Sequence, residues 1–312
     1  MKKYPPVEGA YESEGQHAHD AEPSNIARRD FIKTSTFAAA AAAGTAILPT
    51  DANAAQAKPV ESGPTRRKTF LVVEGHIDDA EIGAGGILIQ AARAGHRVVI
   101  VTVAGNYSSW SATIGREERT KREAVELAQS FGFEKRFLDG NYHQTNATDL
   151  ELKRKLAEIY VELKPDVTFI SHHEDHWPDH ANSGLAARDA FLFSHGLSQD
   201  MRVQRSPLIY AYGVTPKQTY QFEPDVYYDV TDVMPEYMDL ISRVEAVRTG
   251  RPLKQEIRYE FRTLAREGKT IPLSAHAVVR LAEALRWGNR AGCQFAVGFR
   301  TVWGPRWGQK IV

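Results

Sequence analysis

Between residues 69 and 230, short runs of β-branched and aromatic side chains alternate with longer stretches of helical period, and this alternation constrains the fold more than any other feature. TFLVVE at 69–74, RVVIVTV at 97–103, 135–138, DVTFIS at 166–171, 208–213 and 226–230 read as strands. The second of these is apolar almost without a break, as in a strand covered on both faces. Helical periods are expected over 84–94, 116–131, 150–163 and 183–193, then near 235–248 and 273–288, with Gly132 and Pro165 as stops. Repeated strand-then-helix units predict an α/β chain, with a Rossmann-like, mostly parallel sheet and helices on both faces. In such sheets ligands sit outside the carboxyl ends of the strands.

The segment before the first strand reads differently. Residues 1–26 are polar without hydrophobic period, as in a disordered extension. Then Ala27-Arg28-Arg29-Asp30-Phe31-Ile32-Lys33 leads into an alanine-dominated run at 37–48, Pro49 and the small-x-small site Ala52-Asn53-Ala54. Parts in this order resemble a twin-arginine export signal. Residues 1–54 are therefore expected to be an extension plus signal peptide, 55–67 a linker and 68–312 a single domain. The twin-arginine translocase and signal peptidase would be its partners during export, with cleavage between Ala54 and Ala55 and a periplasmic or secreted product. No stretch of the mature chain is long and apolar enough to span a bilayer. The 39 Lys and Arg balance 39 Asp and Glu, leaving no electrostatic footprint for nucleic acid. A single cysteine, Cys293, excludes an internal disulfide framework and reads as a packing residue.

Two polar clusters follow expected strands. The first runs from Glu74 to Gly86, and the second is His172-His173-Glu174-Asp175-His176-Trp177-Pro178-Asp179-His180, which holds four of the eleven histidines. Gly83, Gly85 and Gly86 lack the spacing of a dinucleotide loop, and carboxylates stand where a pyrophosphate would bind. A metal explains the clusters better. His76 and Asp79 are three apart on the turn leaving the first strand, and His180 can approach from the parallel neighbour. Two imidazoles and one carboxylate suit Zn²⁺ with a fourth position left for water. Asp78 and Asp79, side by side in a half-buried loop, would repel unless a cation or a proton offset them.

His76-Ile77-Asp78-Asp79-Ala80-Glu81-Ile82-Gly83-Ala84-Gly85-Gly86 resembles the His-Pro-Asp-Asp signature of the PIG-L/LmbE-like zinc-dependent N-deacetylases, the family of N-acetylglucosaminyl-phosphatidylinositol de-N-acetylase. Trp177-Pro178-Asp179-His180 is similar to their His-Pro-Asp-His signature, and Gln294-Phe295-Ala296-Val297-Gly298-Phe299-Arg300 to their Tyr-Ala-Glu-Ala-Phe segment. The resemblance implies one Zn²⁺ per chain on His76, Asp79 and His180, with Asp78 as general base and Asp179 orienting a ring. Ile77 departs from the family's proline, Val297 from its glutamate, and Trp177 from the histidine that steadies the oxyanion or acts as acid. His176, one position earlier, is the expected replacement. The family's helix arginine near the base is expected at Arg119 or Arg122. Trp177, Trp110 and His143 are expected at the substrate mouth. One of His172 and His173 must point inward, because successive strand residues alternate. His96, His195 and His276 read as surface or packing residues.

The expected function is metal-dependent hydrolysis of an N-acyl amide, above all N-acetyl, on an amino-sugar derivative or glycoconjugate by a zinc-activated water. Two alternatives stay open: a glycan-binding pseudoenzyme of the same fold, favoured by Trp177 and Val297, and a zinc amidase acting on a non-sugar amide. Fe²⁺ or Co²⁺ would also suit the ligand set. Replacing both Arg28 and Arg29 by lysine is expected to hold the precursor in the cytoplasm. N-terminal sequencing of the exported fraction checks this, since efficient export with Ala55 as the new N-terminus would refute a twin-arginine route.

Overall fold

The computed structural model describes residues 66–197, 207–215, 219, 221–253, 258–263, 266–304 and 311–312; the expected signal peptide, its cleavage site and the linker up to residue 65 lie outside them. In chain order the elements are β1 (Thr69–Glu74), α1 (Asp79–Arg93), β2 (Arg97–Thr102), α2 (Glu117–Ser130), β3 (Phe133–Phe137), α3 (Leu150–Leu163), β4 (Val167–Ser171) and α4 (Pro178–Leu192). A short α5 (Ser194–Leu197), β5 (Leu208–Tyr212), β6 (Val226–Asp229), a 3₁₀ turn (Thr231–Val233) and α6 (Met234–Thr249) follow. β7 (Arg258–Thr263) pairs with β8 (Arg266–Pro272) in a separate hairpin, before α7 (Ala275–Ala291) and β9 (Ala296–Trp303).

The main sheet has the order β3-β2-β1-β4-β5-β9-β6. Its first five strands are parallel, as the alternation of strand and helix requires. β9 inserts antiparallel between β5 and β6. The chain builds outward from β1 to β2 and β3, then returns to lay β4 and β5 on the other side. The reversal leaves a switch point between the ends of β1 and β4, where neighbouring connections diverge and a crevice opens. Both polar clusters of the sequence leave the sheet there.

β1 shows why the sheet is a two-sided core. Phe70 and Val72 face α1, α2, α6 and α7, Leu71 and Val73 face α3 and α4, and all four are fully buried. Among the described residues, no helix is long and apolar enough to cross a membrane.

Two findings correct the sequence reading. β9 was not expected as a strand, because Gln294–Arg300 carries motif-like residues; Val297 and Phe299 are buried in the sheet, paired with Tyr228 and Val226. Val297, at the position of the family's glutamate, is buried there and does not line the pocket described below. Helices α1 and α4 also start at Asp79 and Pro178, inside the polar clusters, whereas hydrophobic period alone placed their starts near 84 and 183. Pro178 at the first helical position is the local signal, since it gives up no helical hydrogen bond there.

Close packing at α4 brings the helix onto the sheet. A Cβ on Gly184 would lie 2.0 Å from the Ser171 carbonyl oxygen, and Gly184 stands one turn beyond His180 on the same helix face. Gly184→Ala is expected to cost about 1–3 kcal/mol in urea-unfolding stability, as overpacking does. A variant with unchanged stability would show that α4 can lift off the sheet without loss.

Candidate active site

Beneath the switch point lies a fully buried charge network. Lys135 of β3 places its Nζ 2.8 Å from Glu74 and 2.7 Å from Glu81, with all three side chains excluded from solvent. It also donates to the Ile77 carbonyl at 2.7 Å. Burial alone would drive the proton from Lys135, and the two carboxylates more than reverse this, holding it charged. Glu74, pushed upward by burial, accepts from Thr102 Oγ1 and from the Ala80 amide at the start of α1. That last bond matters for chemistry. Glu74 takes over the capping of α1, and Asp78, the residue at the N-cap position, makes no side-chain cap and is released for other work.

Above the network the predicted ligands converge. His76, Asp79 and His180 are buried, and one ligand atom from each lies within 4.8 Å of the others. His180 Nε2 is 3.1 Å from Asp79 Oδ1 and 3.0 Å from His76 Nδ1. The outward nitrogen of each ring meets its own carboxylate: His76 Nε2 lies 2.9 Å from Asp179 and His180 Nδ1 3.1 Å from Asp175. Asp179 is fixed in turn by the amides of His143 and Thr145, and Asp175 by Trp177 N and Thr219 Oγ1. Asp79 accepts the His76 amide at 2.8 Å.

The electrostatics fit a cation. Burial opposes charge on the His180 ring, yet Asp79 and Asp175 raise it to about 10. Burial likewise opposes ionisation of Asp179, but His76 and the two amides hold its carboxyl at about 2. Positive charge is therefore demanded where the inner ring nitrogens meet Asp79, and a divalent ion between them would supply it. Carboxylate-backed histidines converging with one further carboxylate are a zinc-type donor set.

Asp78 and Asp79 avoid the clash expected from their adjacency by diverging. Asp79 turns to the rings, and Asp78 Oδ2 turns to Arg248 Nε at 2.6 Å. Arg248 closes α6, with its guanidinium over the Trp110 ring, 5.3 Å from the centroid. Arg116 holds that helix end in place by donating to the Val247 and Arg248 carbonyls. The arginine beside the proposed base is thus Arg248. Arg119 and Arg122 face solvent, and Arg119 pairs with Glu123. Nothing local in the sequence distinguishes Arg248 from a basic residue favoured at any helix C-terminus.

A pocket of about 90 Å³ opens over the trio, lined also by Asp78, Trp110, Tyr142, Trp177, Arg248 and His276. Trp110 and Trp177 line it, and Trp110 is also engaged by Tyr142, stacked at 5.2 Å. His143 sits outside at the rim, its ring edge-on to Trp177 at 4.8 Å and its backbone at φ 64°. His176 is exposed and does not line the pocket, which removes the positional ground for its expected role. Trp177 holds the N-cap position of α4, so His176 lies outside the helix, in the loop before it. His172 turns inward and His173 outward, but neither reaches this pocket. His276, read as surface or packing, lines it, with Nδ1 2.9 Å from Glu245. That hydrogen bond comes first in raising the His276 pKa.

Fold and site define an α/β protein with a buried His-Asp-His group at the strand ends that could hold a metal ion. Residues 71–191, which carry all three converging side chains, match the model of the PIG-L family, described as GlcNAc-PI de-N-acetylase. The 4-oxalmesaconate hydratase of Pseudomonas putida is 24% identical over 182 residues, 54% of this chain and 70% of that protein. The solved N,N'-diacetylchitobiose deacetylase of Pyrococcus horikoshii aligns with a TM-score of 0.57 at 19% identity, over 75% of this chain and 84% of that one. The 4-carboxy-2-hydroxymuconate hydratase of Pseudomonas putida KT2440 gives 0.58 at 20%, over 78% of this chain and 100% of that one. At such identities the likeness to the two structures shows a shared fold.

Lys135→Met removes the cation held between two buried carboxylates and is expected to cost about 3–5 kcal/mol in urea unfolding. Adding Glu81→Gln should recover part of the loss. A single variant as stable as the wild type would show that the network does not support the loop.

Proposed function

We propose that the chain is a zinc-dependent deacylase of the PIG-L family, exported by the twin-arginine route, that hydrolyses the N-acetyl amide of an amino-sugar derivative. One observation carries this reading: a buried His-Asp-His trio, each ring backed by its own carboxylate, with the Asp78 carboxylate outside the trio but lining the same pocket. A divalent ion held by His76, Asp79 and His180 would polarise the acyl carbonyl and acidify a water to near neutral pKa.

The chain's own residues supply the remaining steps. Asp78 stands next to the trio without being part of it, and its carboxylate can accept the water's proton as the oxygen attacks the acyl carbon. Arg248 fixes the direction of that carboxylate through their ion pair. Asp179 and Asp175 keep the two rings aimed inward and their tautomers set. Trp177, Trp110 and Tyr142 give the pocket an aromatic wall suited to the apolar face of a sugar ring. Zinc is preferred over Fe²⁺ or Co²⁺ because two imidazoles and one carboxylate with an open position are a recurrent catalytic zinc set.

The hydratase relative favours a second reading, in which the same groups deliver water to a substrate such as 4-oxalmesaconate. Amine release from a panel of N-acetylated sugars and amides, run beside 4-oxalmesaconate consumption, separates the two. Sugar binding without turnover would indicate a pseudoenzyme, and turnover of non-sugar amides alone an amidase.

One zinc per chain is expected, lost in His180→Ala. Asp78→Asn is expected to keep its zinc and lose about 10²–10⁴ in rate, the contribution of a positioned base. Full zinc in the first variant would sink the ligand assignment, and near wild-type turnover in the second would remove Asp78 from the mechanism.

A further inference from the structure

We infer that His276 is the acid that delivers a proton to the departing amine, a role that rests on the hydrolytic reading above. Beyond Asp78, which takes the attacking water's proton, the pocket offers few acids for the leaving nitrogen. Breaking an alkyl amide requires that the nitrogen be protonated as it leaves, because the amide anion is too basic to depart alone. Trp177 occupies the motif position of the family histidine, and its indole N–H is a hydrogen-bond donor with no proton to transfer. His176 is exposed and outside the pocket. The outward nitrogens of His76 and His180 are committed to Asp179 and Asp175. Burial pushes the Tyr142 hydroxyl up to about 12, too weak an acid near neutrality.

His276 meets the requirement by position. It is the second residue of α7, whose first turn is capped by Ser274 accepting the Ala277 amide. Its Nδ1 bonds Glu245 Oε2 at 2.9 Å, which leaves Nε2 as the nitrogen able to gain and give a proton. The positive end of α7 disfavours a charged ring there, and Glu245 answers it. Asp78, also bearing on His276, lines the same pocket, and Arg248 works in the opposite sense. Glu245 and Arg248 are both on α6, so one helix orients the proposed base and the proposed acid together.

The bookkeeping of atoms closes. Water oxygen bonds to the acyl carbon and gives one proton to Asp78. The carbon–nitrogen bond breaks as nitrogen takes the proton of the His276 imidazolium, giving the acid and the free amine. Solvent carries the Asp78 proton back to His276, and both residues end as they began.

The test compares leaving groups in the zinc-loaded full chain. His276→Gln keeps a donor of similar reach but has no transferable proton. Amine release from N-acetylglucosamine derivatives is expected to fall about 10²–10⁴-fold in kcat, with KM and zinc content unchanged. Hydrolysis of 4-nitrophenyl acetate, whose phenolate leaves unprotonated, is expected to stay within about threefold, so the amide-to-ester ratio collapses. Glu245→Gln should lower the same ratio by a smaller factor. An unchanged ratio, whether both rates fall or neither does, overturns the assignment and leaves His276 a structural residue. A wild-type chain that binds zinc but releases no amine overturns the hydrolytic reading, and this inference falls with it.

Discussion

A single buried cation, Lys135, sets where the ligating loop lies. It is held between Glu74 and Glu81 and reaches the Ile77 carbonyl, so one ammonium group ties the end of β1, the first turn of α1 and the loop between them to β3. In a region without solvent, no partner of that network can be left unpaired without a penalty of several kcal/mol, which makes its geometry close to all-or-none. The chemistry follows from this constraint. Because Glu74 satisfies the Ala80 amide, Asp78 does not cap its own helix, and its carboxylate is available to Arg248 and the pocket.

Charge compensation organises the layer above. Four carboxylates crowd a small volume: Asp78 pairs with Arg248, Asp179 with His76, and Asp79 and Asp175 with the two nitrogens of His180. Asp179 and Asp175 each back an imidazole from outside, which passes negative character inward toward Asp79. A divalent ion there would complete the pattern. The nearby glycines serve packing rather than phosphate binding: a Cβ on Gly83 would stand 2.0 Å from the Tyr212 ring.

α6 joins this layer to the rest of the fold. Its last turn carries Arg248 toward Asp78, and one turn earlier Glu245 reaches His276 on α7. Arg116 anchors the end of the helix from the loop before α2. The pocket is therefore closed by residues more than 150 positions from the loop that begins it. Their placement depends on helix packing across one face of the sheet.

The sequence by itself determined the parallel sheet, the two polar clusters at strand ends and the convergence of His76, Asp79 and His180. These follow from short-range rules: a side-chain period of two in strands, an apolar run where both faces are covered, and chemistry at the carboxyl ends of parallel strands. Only the tertiary structure decided that Arg248, and neither Arg119 nor Arg122, meets Asp78. It also set His176 outside the pocket and His276 inside it, and made residues 296–299 of the 294–300 segment the buried part of a strand. The physical reason is common to the first three. A lone Arg on a helix end, or a lone His beside one, has the same local signature whether it faces water or a ligand, and only the packing angle of its helix tells the two apart.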